Sequence, residues 1–188
     1  VRQYILAAAA LPFLAFGAIA QETEAEDAPL NTAPQITAPA ADIPNNAMFG
    51  DWLVNCEAVS VTRVACSIVQ QLSLSENNQL VVRMVAIPAP EGTAILLAQV
   101  PMGAYLPGGA VYRFDNEDEA QEQRSMIWQR CLGDLCEAAI QLDADEMALF
   151  AENDTLLFGY RPDVEAEPIV VGLDISQFNE AIAAISDQ

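Results

Sequence analysis

The chain has 188 residues, 27 of them Asp or Glu against 7 arginines, with no lysine, no histidine and a formal net charge of -20. Without histidine or lysine it can offer no Ser-His-Asp or Cys-His catalysis, no facial-triad metal site and no Schiff base. Nucleic acid and anionic membrane surfaces are excluded as partners, because binding them relies on clustered cations that displace counterions. The length suits one domain with a real hydrophobic core, and a uniformly acidic surface that keeps copies apart in a salty medium accounts for the charge.

Residues 1–20 carry Arg2, an apolar run from Tyr4 to Phe16, and Ala18-Ile19-Ala20, the small-x-small pattern that signal peptidase reads. They are expected to be a signal peptide cleaved after Ala20. The apolar run falls short of the ~20 residues of a membrane-spanning helix, and Pro12 interrupts it. No cysteine lies near the cleavage site to accept a lipid. The expected destination is the periplasm or the exterior.

Residues 21–47 hold Glu22, Glu24, Glu26 and Asp27, then Pro29, Pro34, Pro39 and Pro44, with almost no bulky apolar side chain. Such a stretch cannot bury enough apolar surface to offset its ordering entropy, so it reads as a disordered acidic linker. A folded domain is expected over residues 48–188.

From Met48 to about Leu142, apolar residues mostly alternate with polar or small ones, the pattern of an antiparallel sheet. If Cys56 faces Cys66, then Val54 faces Ile68 and Trp52 faces Gln70, and one face receives Trp52, Val54, Val64 and Ile68. The turn at Glu76-Asn77-Asn78 keeps that face if Leu74 opposes Leu80, Leu72 opposes Val82 and Gln70 opposes Met84, with Arg83 outward. Asn tolerates the left-handed conformation such a loop needs. Further strands are expected at Ile95–Val100, Ala110–Phe114, Ser125–Cys131, Glu137–Leu142, Thr155–Tyr160 and Ile169–Leu173. Between them, Asp143 to Phe150 has acids in front and apolar residues behind, which suits a short helix. At the end, Ser176 can cap a helix whose Phe178, Ala181, Ile182 and Ile185 fall on one stripe. The expected fold is all-β, an antiparallel β-sandwich with a short internal helix and a C-terminal helix.

Four cysteines in an exported chain point to disulfides rather than to metal or redox chemistry. Cys131-Leu-Gly-Asp-Leu-Cys136 reads as a hairpin pinned across a Gly-Asp turn, and Cys56 and Cys66 can be bridged in the same cross-strand way. Cys56 with Cys131 or with Cys136 remains an open alternative, since four cysteines allow three connectivities. No Lys or His stands nearby to lower a thiol pKa, and the spacing is not C-x-x-C.

Catalytic, cofactor and metal-ligating residues are expected to be absent. Asp115-Asn-Glu117-Asp118-Glu119 and the pair Asp143 and Asp145 could supply oxygens for weak calcium binding, but neither holds the glycine of a calcium loop, and a solvated acidic loop is the simpler reading. The remaining enzymatic option is a carboxylate glycoside hydrolase, with Glu137 the strand-borne acid to test and an exposed strand end its plainer reading. Gly108-Gly109 after Pro107 reads as a turn, not a phosphate cradle, and Trp52 and Trp128 read as core.

Taken in order, Phe49-Gly-Asp-Trp52 leading to Cys56, Cys66 followed by Gln70, Val100-Pro-Met-Gly103 with Leu106 and Gly109, Cys131 to Cys136 with Ala138, and Leu173-Asp-Ile-Ser-Gln-Phe178 resemble the invasion-associated locus B family of exported bacterial proteins. The resemblance runs from about Phe49 to Ile185. It implies a β-sandwich in the periplasm or cell envelope of a Gram-negative bacterium, a family role in host-cell invasion in some pathogens, and no catalytic residues. The expectation is therefore a non-catalytic module acting on an envelope protein or glycan partner. A glycoside hydrolase and a passive structural protein of the envelope are the alternatives.

Overall fold

The computed structural model describes residues 45–116 and 123–186. The expected signal peptide, most of the expected linker and Glu117-Asp118-Glu119 lie outside the described residues. Ten strands follow in chain order: β1 (Met48–Phe49), β2 (Trp52–Ser60), β3 (Arg63–Ser73), β4 (Leu80–Ala89), β5 (Thr93–Pro101), β6 (Ala110–Phe114), β7 (Arg124–Leu132), β8 (Leu135–Leu142), β9 (Thr155–Tyr160) and β10 (Ile169–Asp174). Helix α1 (Ala144–Glu152) lies between β8 and β9, and α2 (Phe178–Ser186) follows β10.

All ladders are antiparallel, in the order β1-β2-β3-β4-β5-β8-β7-β6-β9-β10. Strand β7 turns the corner: Arg124 to Met126 pair with β6, whereas Ile127 to Leu132 pair with β8, and the register shifts between Trp128 and Arg130. A bulge bends a strand and increases its twist, which lets one strand serve two sheets. The result is a sandwich. One layer is β1 to β5 with β8 and β7; β6, β9, β10 and the helices form the other side of a shared core.

The core is aromatic at its centre. Phe150 of α1 stacks on Phe178 of α2 at 4.5 Å between ring centroids, with Phe114 at 5.3 Å from Phe150 and Trp52 at 5.1 Å from Phe178. Asp143 caps α1 by accepting a 2.9 Å hydrogen bond from the Glu146 N–H, so the acids at its front are used as expected. Helix α2 buries Phe178, Ala181, Ile182 and Ile185, the stripe read from spacing. Ser176 does not cap it: the Ser176 N–H and hydroxyl both donate to Asp174 Oδ1, and the helix begins at Phe178.

Cys56 is bonded to Cys66 and Cys131 to Cys136, each directly across a ladder. The first hairpin has the expected register, with Val54 opposite Ile68. In the second, Gln70 opposes Met84 and Leu72 opposes Val82, but a register shift after Leu72 puts Ser73, not Leu74, opposite Leu80. Leu74 instead closes the turn, its N–H donating to the Gln79 carbonyl, while Asn78 takes the left-handed conformation at φ 55. Chain pairing also starts earlier than the expected linker boundary: Asn46 donates to Val54, Val54 to Ala47, and the Asn45 side chain bonds both the N–H and the carbonyl of Cys56.

Trp52, in β2 beside the edge strand β1, donates its indole N–H to the Asp174 carbonyl of β10 at the other edge, 3.0 Å away. Gly50, at φ 56, lies where a Cβ would come within 3.4 Å of Gln177. The Phe49-Gly-Asp-Trp52 and Leu173 to Phe178 segments thus meet and close the sandwich. No helix among the described residues is long and apolar enough to cross a membrane.

Candidate functional site

The end of the sandwich at the β3–β4 turn opens into an apolar groove of roughly 400 Å³. Leu74, Leu80 and Val81 line it from that turn, Pro101 and Met102 from the end of β5, and Tyr160, Pro162, Ile169 and Val171 from β9 and β10. Its size lies in the range of small-molecule and side-chain pockets. Tyr160 crosses between the layers and donates its hydroxyl to the Val81 carbonyl at 3.1 Å. Burial pushes the Tyr160 phenol above its ordinary pKa, so the donor stays protonated. The polar end of this ring is occupied and its apolar body faces the groove.

The second disulfide supports the opposite wall. Gly133, at φ 60, allows the two-residue turn between Leu132 and Leu135. The neighbouring Asp134 carbonyl accepts the Met102 N–H at 2.8 Å, and Met102 Sδ lies 3.8 Å from Cys136 Sγ. On the far side the Tyr105 N–H bonds the Arg161 carbonyl, joining the loop after β5 to the loop after β9. Leu74 and Met102 stand about half exposed at the rim.

A second depression, wide open, is lined by Asp51, Asp154, Thr155, Gly172, Leu173, Asp174 and Ser176. Asp174 is held below the ordinary carboxylate range by the Ser176 hydroxyl and then by the Ser176 N–H. That direction is opposite to the one a general acid needs. Glu137, the acid singled out from sequence, is not at an exposed strand end. It is half-buried on the outward side of β8, accepts 2.8 Å from Gln99 Nε2 and pairs with Arg130 at 3.6 Å. Asp143 is taken by its helix cap, and no group of three or more Asp, Glu, Cys or His among the described residues is placed to hold a metal.

Sequence reasoning missed one polar cluster. Glu146 Oε1 receives the Tyr112 hydroxyl at 2.7 Å and Arg124 Nε at 2.6 Å, and the Arg124 guanidinium lies over the Phe114 ring. These side chains come from α1, β6 and β7, and nothing local in the sequence joins them. Trp52 is fully buried as expected, whereas Trp128 is half-buried against the core.

The fold and site define a disulfide-pinned antiparallel sandwich with an apolar groove at one end. The family model described as Invasion associated locus B (IalB) protein matches residues 52–186, and the chain belongs to that family. Among solved structures, the crystal structure of invasion associated protein b from Bartonella henselae is similar to it, with a TM-score of 0.62 and 17% identity over 74% of this chain and 92% of that one. At that identity the likeness is one of fold. No curated protein matches the chain.

Proposed function

We propose that this chain is an exported, non-catalytic binding module of the bacterial envelope whose working surface is the apolar groove, and that it takes apolar side chains of an envelope protein. The carrying observation is the groove's lining, in which nine of the ten residues offer an apolar side chain or the body of a tyrosine and Gln79 alone an amide, whose oxygen already accepts from Asn77. A glycan site would need exposed aromatic platforms with open hydrogen-bonding groups beside them. Here Trp52 is buried and the Tyr160 hydroxyl is bonded to the backbone. Export is supported by the signal-like segment at residues 1–20 and by four cysteines all paired in disulfides, a pairing that oxidising compartments favour. Against the glycoside hydrolase stands Glu137, the strand-borne acid it would use, which is instead engaged by Gln99 and Arg130.

The test is capture from the organism's own envelope fraction under oxidising conditions, with the wild-type chain beside Leu74→Glu and Met102→Glu. A protein retained by the wild type should be lost by both variants while their thermal unfolding is little changed, because both side chains stand at the exposed rim. Equal retention by all three, or cleavage of envelope glycan by the wild type, would overturn the reading.

A further inference from the structure

The side of the large layer that faces away from the core should alternate toward polar residues if water covers it. It does not. Leu53, Val69, Val85, Leu97, Ala139 and Ile127 stand directly opposite one another, strand to strand, from β2 through β3, β4, β5 and β8 to β7. In β5 alternation of burial places the row outward, since Ala94, Leu96, Ala98 and Val100 point to the core and Ile95 and Leu97 do not; pairing carries Val85 and Val69, each only 9% exposed, to the same side. A second row adds Ile87 opposite Ile95, each 38% exposed, and Ile127 is 69% exposed. Strands β4 and β5 accordingly contain unbroken apolar runs, Met84 to Ile87 and Ala94 to Ala98, which is how strands covered on both faces read.

Beside the apolar row runs a polar one: Gln71, Arg83, Gln99, Glu137 and Arg130, again paired strand to strand. Arg83 is half-buried, and no hydrogen bond or ion pair joins it to another described residue. Gln99 gives its amide to Glu137 instead. The row is self-complementary, because Arg83 on β4 and Glu137 on β8 flank β5 on either side.

We propose that this outer face is the contact surface of a two-fold dimer of this chain, its axis running along β5, with Arg83 of each copy on Glu137 of the other. The operation lays Leu97 on Leu97, Ile95 on Ile95, Val85 on Ala139 and Val69 on Ile127, so apolar meets apolar along the row. Strands about 4.8 Å apart and same-face residues about 7 Å apart give each copy roughly 500 to 600 Å² of contact. The two copies together reach the roughly 1,000 Å² that a specific interface needs. The flanking row holds two arginines and one glutamate, so this face escapes the acidity that repels copies elsewhere.

The experiment is sedimentation equilibrium on the chain produced with its disulfides formed. The wild type should dimerise, Leu97→Glu should weaken dimerisation about thirtyfold or more, and Arg83→Glu about tenfold or more. Should Leu97→Glu fail to fold, Ile95→Glu, at a more exposed position, replaces it. The double variant Arg83→Glu with Glu137→Arg should regain the dimer, since the charges exchange places across the axis. Leu74→Glu in the groove should leave dimerisation unchanged, which separates this proposal from the groove. A wild type that stays monomeric at high micromolar concentration overturns the proposal, as does a dimer indifferent to Leu97→Glu or a double variant that does not recover. If the wild type is monomeric but Leu97→Glu loses a captured envelope protein, a different protein covers the face and the second copy does not.

Discussion

At Glu146 one carboxylate oxygen serves both a buried phenol and a guanidinium, so its removal affects two groups at once. Glu146→Ala should cost about 2 kcal/mol of unfolding free energy by chemical denaturation, because it strips Tyr112 of its acceptor and Arg124 of a carboxylate partner in a site little open to solvent. The same site predicts a response to alkali. Tyr112 is raised far above the ordinary tyrosine value, first by burial, then by its hydrogen bond to Glu146 and by the Glu146 charge. A phenol with a raised pKa in the folded state contributes its stability fully below the unfolded value near 10. That stability is lost as pH rises beyond it, because the unfolded chain ionises and the folded one does not. Denaturation midpoints should therefore fall above pH ~10, and Tyr112→Phe should flatten the fall, leaving the smaller part owed to Tyr160. Gln70 presents the reverse case. Its amide is buried, and neither its oxygen nor its nitrogen has a hydrogen-bond partner among the described groups. Gln70→Met keeps the volume and removes the unpaired dipole, so it should stabilise the fold by about 1 kcal/mol. A lower midpoint would show that the amide is satisfied in solution.

Between elements, the second disulfide does two things, because the hairpin it pins also holds Met102. Replacing Cys131 and Cys136 with serine should cost about 2 to 3 kcal/mol. It should also weaken capture at the groove more than an equally destabilising change in α2 does. The pair Cys56 and Cys66 bears no groove residue, so its loss should lower stability with partner affinity retained. Local elements were legible where a short period met a fixed point: a side-chain repeat of two together with Cys56 and Cys66 set the first hairpin, and Phe178, Ala181, Ile182 and Ile185 set α2. The misplacement of Leu74 has a local cause, a register shift after Leu72 that alternation alone does not signal. Ser176 is not the cap because α2 begins two residues on, at Phe178, while the Ser176 N–H and hydroxyl both turn back to Asp174. The groove was not legible at all. Its walls come from β3–β4, the end of β5, β9 and β10, and placing β5 beside β8 or β6 between β7 and β9 depends on pairings that no local window contains. Pro101 and Met102 entered only through the family pattern, with no hint of what they line.

For the whole molecule, charge and sheet geometry pull in opposite directions. Two copies of a chain with a formal charge of -20 repel at long range, while the uncharged rows on the outer face attract only in contact. Salt screens the first and leaves the second, so the dimer should tighten as sodium chloride is raised. A dimer that weakens with salt would mean that ion pairs, not the apolar row, hold it. The meeting of Trp52 with Asp174 and Phe178 bears on biosynthesis as well as on stability. The indole and its acceptor are 122 positions apart, and the acceptor lies in the last strand, just before the final helix. Contacts that distant in sequence form slowly, and these cannot form until Asp174 and Phe178 have been made. A nascent copy therefore lacks its closing contact while strands β2 to β9 are already made. The sandwich stays open until β10 and α2 arrive, a delay set by the connectivity of the sheet itself.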